Sequence, residues 1–194
     1  MANKGDQNSS VRNTKKRIRE GFLKLLETKP INKISISELT AAIDISRGTF
    51  YAHYEDIYDL SNQLENEILD QLQVILDEIP QRDTHRIIQN IFLMLQDNVN
   101  FAQIFLTKEG HISFIEKIRK LAANNLTAVL MDTSHSGSPI EYEYFNSFLI
   151  FGFIGIVQSW LNSGLQKSPS AMADFTSAFI RNAVVAFYAQ SEIS

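Results

Sequence analysis

Hydrophobic residues recur every three or four positions along most of the chain, which is the spacing of amphipathic helices. Two short helices are predicted within residues 35–54, and a further short one carries Phe101, Ile104, Phe105 and Leu106. The longer predicted helices cover residues 11–28, 56–79, 83–98, 113–131, 140–163 and 169–190. The pattern therefore predicts an all-α fold of about nine helices.

The stretch from Ser35 to Leu60 organises the N-terminal part of the chain. Ser35 followed by Glu38 has the spacing of a capping box, which opens a helix. Asp44 stands where the chain must turn, and Asp tolerates turn geometry well. Ser46 can cap a second short helix. Two helices joined by a tight turn form the helix-turn-helix pattern.

The second short helix carries groups suited to DNA. Arg47 can pair bidentately with a guanine, and Thr49 can reach a base or a thymine methyl group. Gly48 lets the backbone approach the duplex. Tyr51 and His53 are suited to phosphate contacts, which position a protein without specifying sequence.

Residues 35–60 resemble the pattern of the tetracycline-repressor (TetR, or AcrR) family of bacterial regulators. Four residues depart from it: Thr40 and Ile43 replace alanines, Asp44 replaces a turn glycine, and Ile57 replaces a lysine that touches phosphate. The resemblance implies a homodimeric, ligand-responsive regulator with a three-helix helix-turn-helix head and a C-terminal helical bundle. The matching residues are Leu39, Ile45, Ser46, Gly48, Thr49, Phe50, Tyr51, His53, Tyr54 and Leu60.

The DNA-binding candidates extend into the first helix. Lys15, Lys16, Arg17 and Arg19 could line the phosphate backbone, although charge runs are more often solvated faces. Thr14 is a phosphate candidate by family resemblance, and Tyr54 could equally pack inward. The complete set of DNA-binding candidates is Thr14, Lys15, Ser35, Ser37, Ser46, Arg47, Gly48, Thr49, Tyr51, His53 and Tyr54.

Charge is divided unevenly along the chain. The net charge is −4, but residues 1–50 hold ten Lys and Arg against five acids, whereas residues 51–194 hold eight against seventeen. A net +5 beside a net −9 suits a protein that presents one basic face to DNA. We expect a disordered arm over 1–10, a DNA-binding domain over 11–71 and a ligand-binding and dimerisation domain over 72–194.

The last two predicted helices suit a dimer interface. Residues 148–157 are apolar without a break, which is well short of the roughly 20 residues of a membrane span. A four-helix interface between two subunits would cover such helices, with burial inside one chain as the alternative. The interface candidates are Phe148, Phe151, Gly152, Gly155, Phe175, Phe179, Val184 and Phe187.

An effector could bind between helices of the C-terminal domain. Aromatic residues there could line a pocket, or could simply form the core. The pocket candidates are Phe101, Phe105, His111, Phe114, Tyr142, Tyr144 and Trp160. This region also resembles, less closely, a subgroup from Gram-positive bacteria that includes regulators and coactivators of dihydroxyacetone metabolism.

Enzyme chemistry is not indicated. The chain has no cysteine, its four histidines show no metal-ligand spacing, and no Gly-rich phosphate loop appears. We expect no catalytic residue, metal or cofactor, and no membrane attachment. The resulting hypothesis is a cytoplasmic, dimeric repressor that binds a pseudo-palindromic operator in double-stranded DNA and responds to a small molecule. The alternative is a coactivator that binds a protein partner and lacks DNA binding of its own.

Overall fold

The computed structural model describes residues 4–78, 83–107, 112–131 and 138–191. Within these ranges the chain is helical and contains no strand, which confirms the all-α prediction. A 3-10 turn, Ile31–Lys33, follows the first helix. The described ranges contain nine α-helices: α1 (Lys4–Leu26), α2 (Ile36–Ala42), α3 (Arg47–Tyr51), α4 (Ile57–Glu78), α5 (Thr84–Asp97), α6 (Val99–Thr107), α7 (Ile112–Met131), α8 (Pro139–Asn162) and α9 (Pro169–Ser191).

The chain divides into two compact units, Met1–Ile68 and Leu69–Ser194, here called the head and the body. The boundary expected from sequence, after residue 71, lies three residues further along. The core of the head contains apolar side chains from α1 to α4. They are Ile18, Phe22, Leu39, Phe50, Leu60 and Leu64, each at most 2% exposed.

The start of α1 differs from the expectation of a disordered arm over residues 1–10. The helix begins at Lys4 rather than near Val11. Once a helix is nucleated, each added residue contributes one further backbone hydrogen bond, so the segment anchored by Ile18 and Phe22 can extend towards the N-terminus. Residues 1–3 lie outside the described ranges.

The ends of the short head helices are held as the sequence predicted, with one correction. The backbone N–H of Glu38 donates to Ser35 Oγ at 3.2 Å. The Glu38 carboxylate instead accepts from Lys29 Nζ, so an ion pair takes the place of the expected return bond of the capping box. Asp44 has a φ of 51°, which confirms the predicted turn geometry at this position.

Two departures from the family pattern are explained by packing between α1 and α2. Thr40 is buried, and its hydroxyl donates to the Ile36 carbonyl oxygen at 2.8 Å. Ile43 lies against Gly21 so closely that a Cβ on Gly21 would overlap the Ile43 Cγ2 atom and lie 3.2 Å from Leu39 Cδ1. The larger isoleucine fits because residue 21 has no side chain.

The body is built on α8, which packs with α6, α7 and α9, and on a long contact between α5 and α9. A capping box opens α8: the backbone N–H and the hydroxyl of Ser138 both donate to the Glu141 carboxylate at 2.8 Å. These bonds from Ser138 lower the pKa of Glu141. At the other end of α8, the Trp160 indole N–H donates to the Lys167 carbonyl oxygen at 2.8 Å and fixes the turn into α9.

By length and composition alone, α8 could cross a membrane. The core helix of a soluble protein passes the same test, and nine side chains of α8 are buried in the fold.

Candidate nucleic-acid interface

The orientation of α3 is set by one cap and one anchor. The Thr49 backbone N–H donates to Ser46 Oγ at 3.0 Å, and the two hydroxyl oxygens of Ser46 and Thr49 lie 2.8 Å apart. Phe50 is fully buried, and its ring lies 5.6 Å from that of Tyr54. Because a helix turns 100° per residue, an inward Phe50 turns Gly48 and the flanking polar residues outward.

Most of the predicted DNA-binding residues lie at the surface of the head. Tyr51 is 57% exposed, while Thr14, Thr49 and His53 are half-buried. Tyr54 is only 5% exposed and packs in the core, in agreement with the alternative that its spacing allowed. The remaining candidates, all exposed, are Lys15, Ser35, Ser37, Ser46, Arg47 and Gly48.

Arg47 is linked to the preceding helix. Its Nη2 atom donates to the hydroxyl oxygen of Ser37, which lies on α2. Both side chains are exposed, so the pair lies at the surface between α2 and α3. The arrangement brings together two candidates that are ten positions apart in sequence.

Three of the four basic residues of α1 that could line phosphate form hydrogen bonds or ion pairs within the head. Arg17 donates to the carbonyl oxygens of Ile43 and Asp44 and so holds the turn between α2 and α3. Arg19 pairs with Glu67 of α4. The Lys16 Nζ atom lies 3.9 Å from Glu20 Oε1. The role of Arg17 could not be found from the sequence, because its partners are backbone atoms 26 and 27 residues away.

Lys15 and Tyr54 connect the basic face to the core. The Lys15 ammonium lies 5.8 Å from the centre of the Tyr54 ring, within the range of a cation–π contact. Burial raises the pKa of the Tyr54 phenol above its usual 10.0, and the carboxylate of Glu67 adds to the increase. The phenol therefore stays neutral at every physiological pH.

The start of α4 exposes a tyrosine that was not among the candidates from sequence. Ile57, which stands where the family has a phosphate-binding lysine, is buried in the head. Its neighbour Tyr58 is exposed, in the first turn of α4. Asp56 caps α4, because its Oδ1 atom accepts from the Asp59 backbone N–H at 2.7 Å, and this cap fixes the position of Tyr58 in the first turn. A tyrosine two positions after a capping aspartate could therefore have been selected from the sequence as an exposed residue of that turn.

The pocket candidates are separated into different clusters. Phe101 and Phe105 stack with ring centres 4.1 Å apart, and Phe114 meets both edge-on. Trp160 instead packs against Phe92. Tyr142 packs against Phe187. Tyr144 is 68% exposed, so its assignment to an internal pocket was wrong. His111 lies outside the described residues.

The interface candidates also form two groups. Phe148, Phe151, Phe175 and Phe179 are exposed, and Gly152 and Gly155 have open space where a Cβ would point. Val184 and Phe187 pack within the chain against Tyr142, Phe145 and Leu149. Tyr144, Phe148 and Phe151 form a row along α8, while Phe175 and Phe179 form a row on α9, with rings 4.8 Å apart.

Comparison with known proteins agrees with this architecture. A curated relative, the uncharacterised HTH-type transcriptional regulator YxbF of Bacillus subtilis (strain 168), is 20% identical in an alignment of 164 positions that covers 80% of this chain. The chain spans 42% of the length of that relative.

Two solved structures share the fold. A TetR transcriptional regulator from Streptococcus agalactiae 2603V has a TM-score of 0.63 and 18% identity, covering 92% of this chain and 99% of its own. The dihydroxyacetone kinase operon activator DhaS has a TM-score of 0.55 and 17% identity, covering 93% and 97%.

The family match itself covers the body. Residues 82–182 match the family TetR_C_8, described as the C-terminal region of transcriptional regulators. That segment is more than half of the chain, and the helix-turn-helix head precedes it. The family match over the body and the helix-turn-helix in the head together show that this chain belongs to the TetR family of transcriptional regulators.

Proposed function

We propose that this protein is a sequence-specific DNA-binding regulator that acts as a homodimer in the cytoplasm and represses transcription. The observation that carries the proposal is α3, a capped and anchored helix whose exposed side carries Arg47, Gly48 and Tyr51. Arginine is the side chain that most often pairs with guanine in the major groove. We assign phosphate contacts to Lys15, which lies against the Tyr54 ring just after α3, and to the exposed Tyr58 in the first turn of α4.

Dimer formation is supported by the rows of exposed rings on α8 and α9. Phe148 is 64% exposed and Phe179 is 58% exposed, which is costly for side chains of this size in water. A two-fold interface would bring each row against the partner subunit and cover it. A dimer would then present two α3 helices to major grooves about one helical turn, roughly 34–36 Å, apart.

Repression follows if the operator overlaps a promoter. A small molecule that binds the body more tightly in one of two head separations would change DNA affinity by the difference of its two affinities. Phe101 and Phe105 of α6 pack against Phe114 of α7, so a ligand that binds between these two helices would have to separate the three rings.

The test is selection of duplexes from a random pool by the purified full-length protein at two salt concentrations. We expect enrichment of a pseudo-palindrome that weakens at higher salt, because phosphate contacts release counterions. Arg47→Ala should lose preference at one base position of each half-site. Arg86→Ala removes the same charge from an exposed position on α5 and should behave as the wild type.

Two results would contradict the proposal. No enrichment at low salt would remove direct DNA binding and direct the search to a protein partner, as a coactivator requires. Enrichment that Arg47→Ala leaves unchanged would move base contact away from α3. Reporter transcription in cells, measured with and without the recovered operator, decides between repression and activation.

A further inference from the structure

We propose that Ser37 is a positioning residue for base recognition: it holds the guanidinium of Arg47 in place, so that α2 determines how α3 contacts a guanine. The inference rests on the proposed DNA-binding function and deepens it. It starts from one contact, the donation from Arg47 Nη2 to Ser37 Oγ across the surface between the two helices.

The contact leaves Arg47 able to bind a base. A guanidinium carries five N–H donors in a plane, and the bond to Ser37 uses one of them. The remaining donors suffice for a bidentate pair with guanine O6 and N7. Ser37 accepts in this bond, so its own O–H stays available to donate to a phosphate oxygen.

An arginine that is already held in place loses less conformational entropy on binding DNA than a free one. A long exposed side chain loses rotamer freedom when it docks, and a side chain already held in one position loses less. The plane of the guanidinium is also restricted, which matters because a bidentate pair requires it to lie edge-on to the base. Ser37 would therefore raise both affinity and selectivity for guanine.

The scaffold behind Ser37 is fixed well enough for this role. Ser35 caps the start of α2. At its end the Ile45 backbone N–H donates to the Thr40 carbonyl oxygen at 3.0 Å, and Arg17 binds the carbonyl oxygens of the turn. The distance from Ser37 to the first residue of α3 is thus set by several bonds that do not involve DNA.

The same contact allows the opposite prediction. If Ser37 held Arg47 away from the duplex, binding DNA would require breaking their bond, and removing the hydroxyl would strengthen binding. The two cases differ in sign, so one substitution distinguishes them. Ser37 is exposed and lies in a helix, where alanine is well tolerated, so the fold should be unaffected by Ser37→Ala.

The experiment measures affinity of the full-length protein for the selected operator and for versions changed at each position. We expect Ser37→Ala to bind the operator about tenfold more weakly and to discriminate less at the position that depends on Arg47. Ser37→Thr keeps the hydroxyl and should retain both properties. In the Arg47→Ala background, Ser37→Ala should have no further effect on discrimination, because Ser37 acts through Arg47.

Each alternative result overturns the inference in a recognisable way. Tighter binding by Ser37→Ala would show that the contact opposes DNA binding. Equal weakening at every operator position would show a phosphate contact only. A wild-type protein that selects no duplex would overturn the proposed function itself, whereas selection that depends on Arg47 and not on Ser37 would overturn the positioning role alone.

Discussion

The head and the body achieve order by different means. In the head, three helices begin at a side chain that accepts a hydrogen bond from a backbone N–H of the first turn. These side chains are Ser35 for α2, Ser46 for α3 and Asp56 for α4. In the body, long helices are held by large apolar rings, such as Phe105 and Phe114, from different helices. Side chains close in sequence therefore set where these head helices begin, whereas rings on different helices pack the body.

The exposed surfaces of the head and the body also differ in chemistry. The exposed side of the head carries hydroxyl and basic groups, which suit phosphates and base edges. The exposed rows on α8 and α9 are aromatic, and they suit an apolar partner that excludes water. This contrast is the physical basis for assigning DNA to one unit and a second copy of the chain to the other.

The largest effect is expected where the aromatic rows are disrupted. Phe179→Glu would introduce a charge twice into the proposed two-fold interface and remove two rings that this interface would bury, a loss of about 3–6 kcal/mol. The dimer dissociation constant, measured by sedimentation, should rise at least about 100-fold. Operator affinity should fall with it.

Val74→Glu is the matched control for that substitution. Val74 is half-exposed on α4, outside the aromatic rows, and its replacement should leave the dimer intact. A Phe179→Glu protein that still dimerises as tightly as the wild type would remove the α9 row from the interface.

The next effect tests the close contact in the head. Gly21→Ala adds a Cβ that overlaps Ile43, and we expect it to lower the free energy of unfolding of the head by about 1–3 kcal/mol, although alanine favours helix. Combining it with Ile43→Ala should recover much of the loss, because the added and removed atoms occupy the same space. Chemical denaturation followed by circular dichroism measures both. Additive losses in the double variant would disprove the packing explanation.

These features differ in how far the sequence could predict them. Local patterns predicted the caps at Ser35 and Ser46 and the turn at Asp44, because each depends on residues within four positions of each other. They did not predict the start of α1 at Lys4. The bonds from Arg47 to Ser37 and from Arg17 to the turn join residues that only the fold brings together. Sequence gave no indication of either.

In the body, the sequence pattern likewise did not show which apolar residues are covered within the chain. Spacing along α9 placed Phe175, Phe179, Val184 and Phe187 together as interface candidates. The structure divides them, because facing residues on α8 such as Phe145 cover Phe187, with ring centres 4.2 Å apart. A periodic pattern shows which residues are apolar, but the partner helix decides which of them are covered inside one chain.

A smaller effect tests whether head stability is local. Ser35→Ala removes the acceptor for the Glu38 backbone N–H and should cost about 1 kcal/mol, whereas Ser35→Gly should cost only a few tenths. Ser10→Ala, at an exposed position of α1, is the control and should be neutral within about 0.5 kcal/mol. Thermal unfolding compares the three. Equal stability of Ser35→Ala and the wild type would indicate that tertiary packing, and not the cap, holds the start of α2.

The smallest effect concerns Tyr54, where the head depends on a buried ring as the body does. Its pKa is raised by burial first and by Glu67 second, so the folded state keeps the phenol proton at a pH where the unfolded chain releases it. The stabilisation is complete below pH 10 and is lost as the pH rises through the raised pKa. Tyr54→Phe has no proton to lose, so the stability of the wild type relative to this variant should be constant up to pH 10 and then decline. Urea unfolding of both proteins between pH 7 and about pH 11 measures the difference. A difference that stays constant over the whole range would mean that the phenol has the same pKa in the folded and unfolded chains, and would contradict a pKa raised by burial.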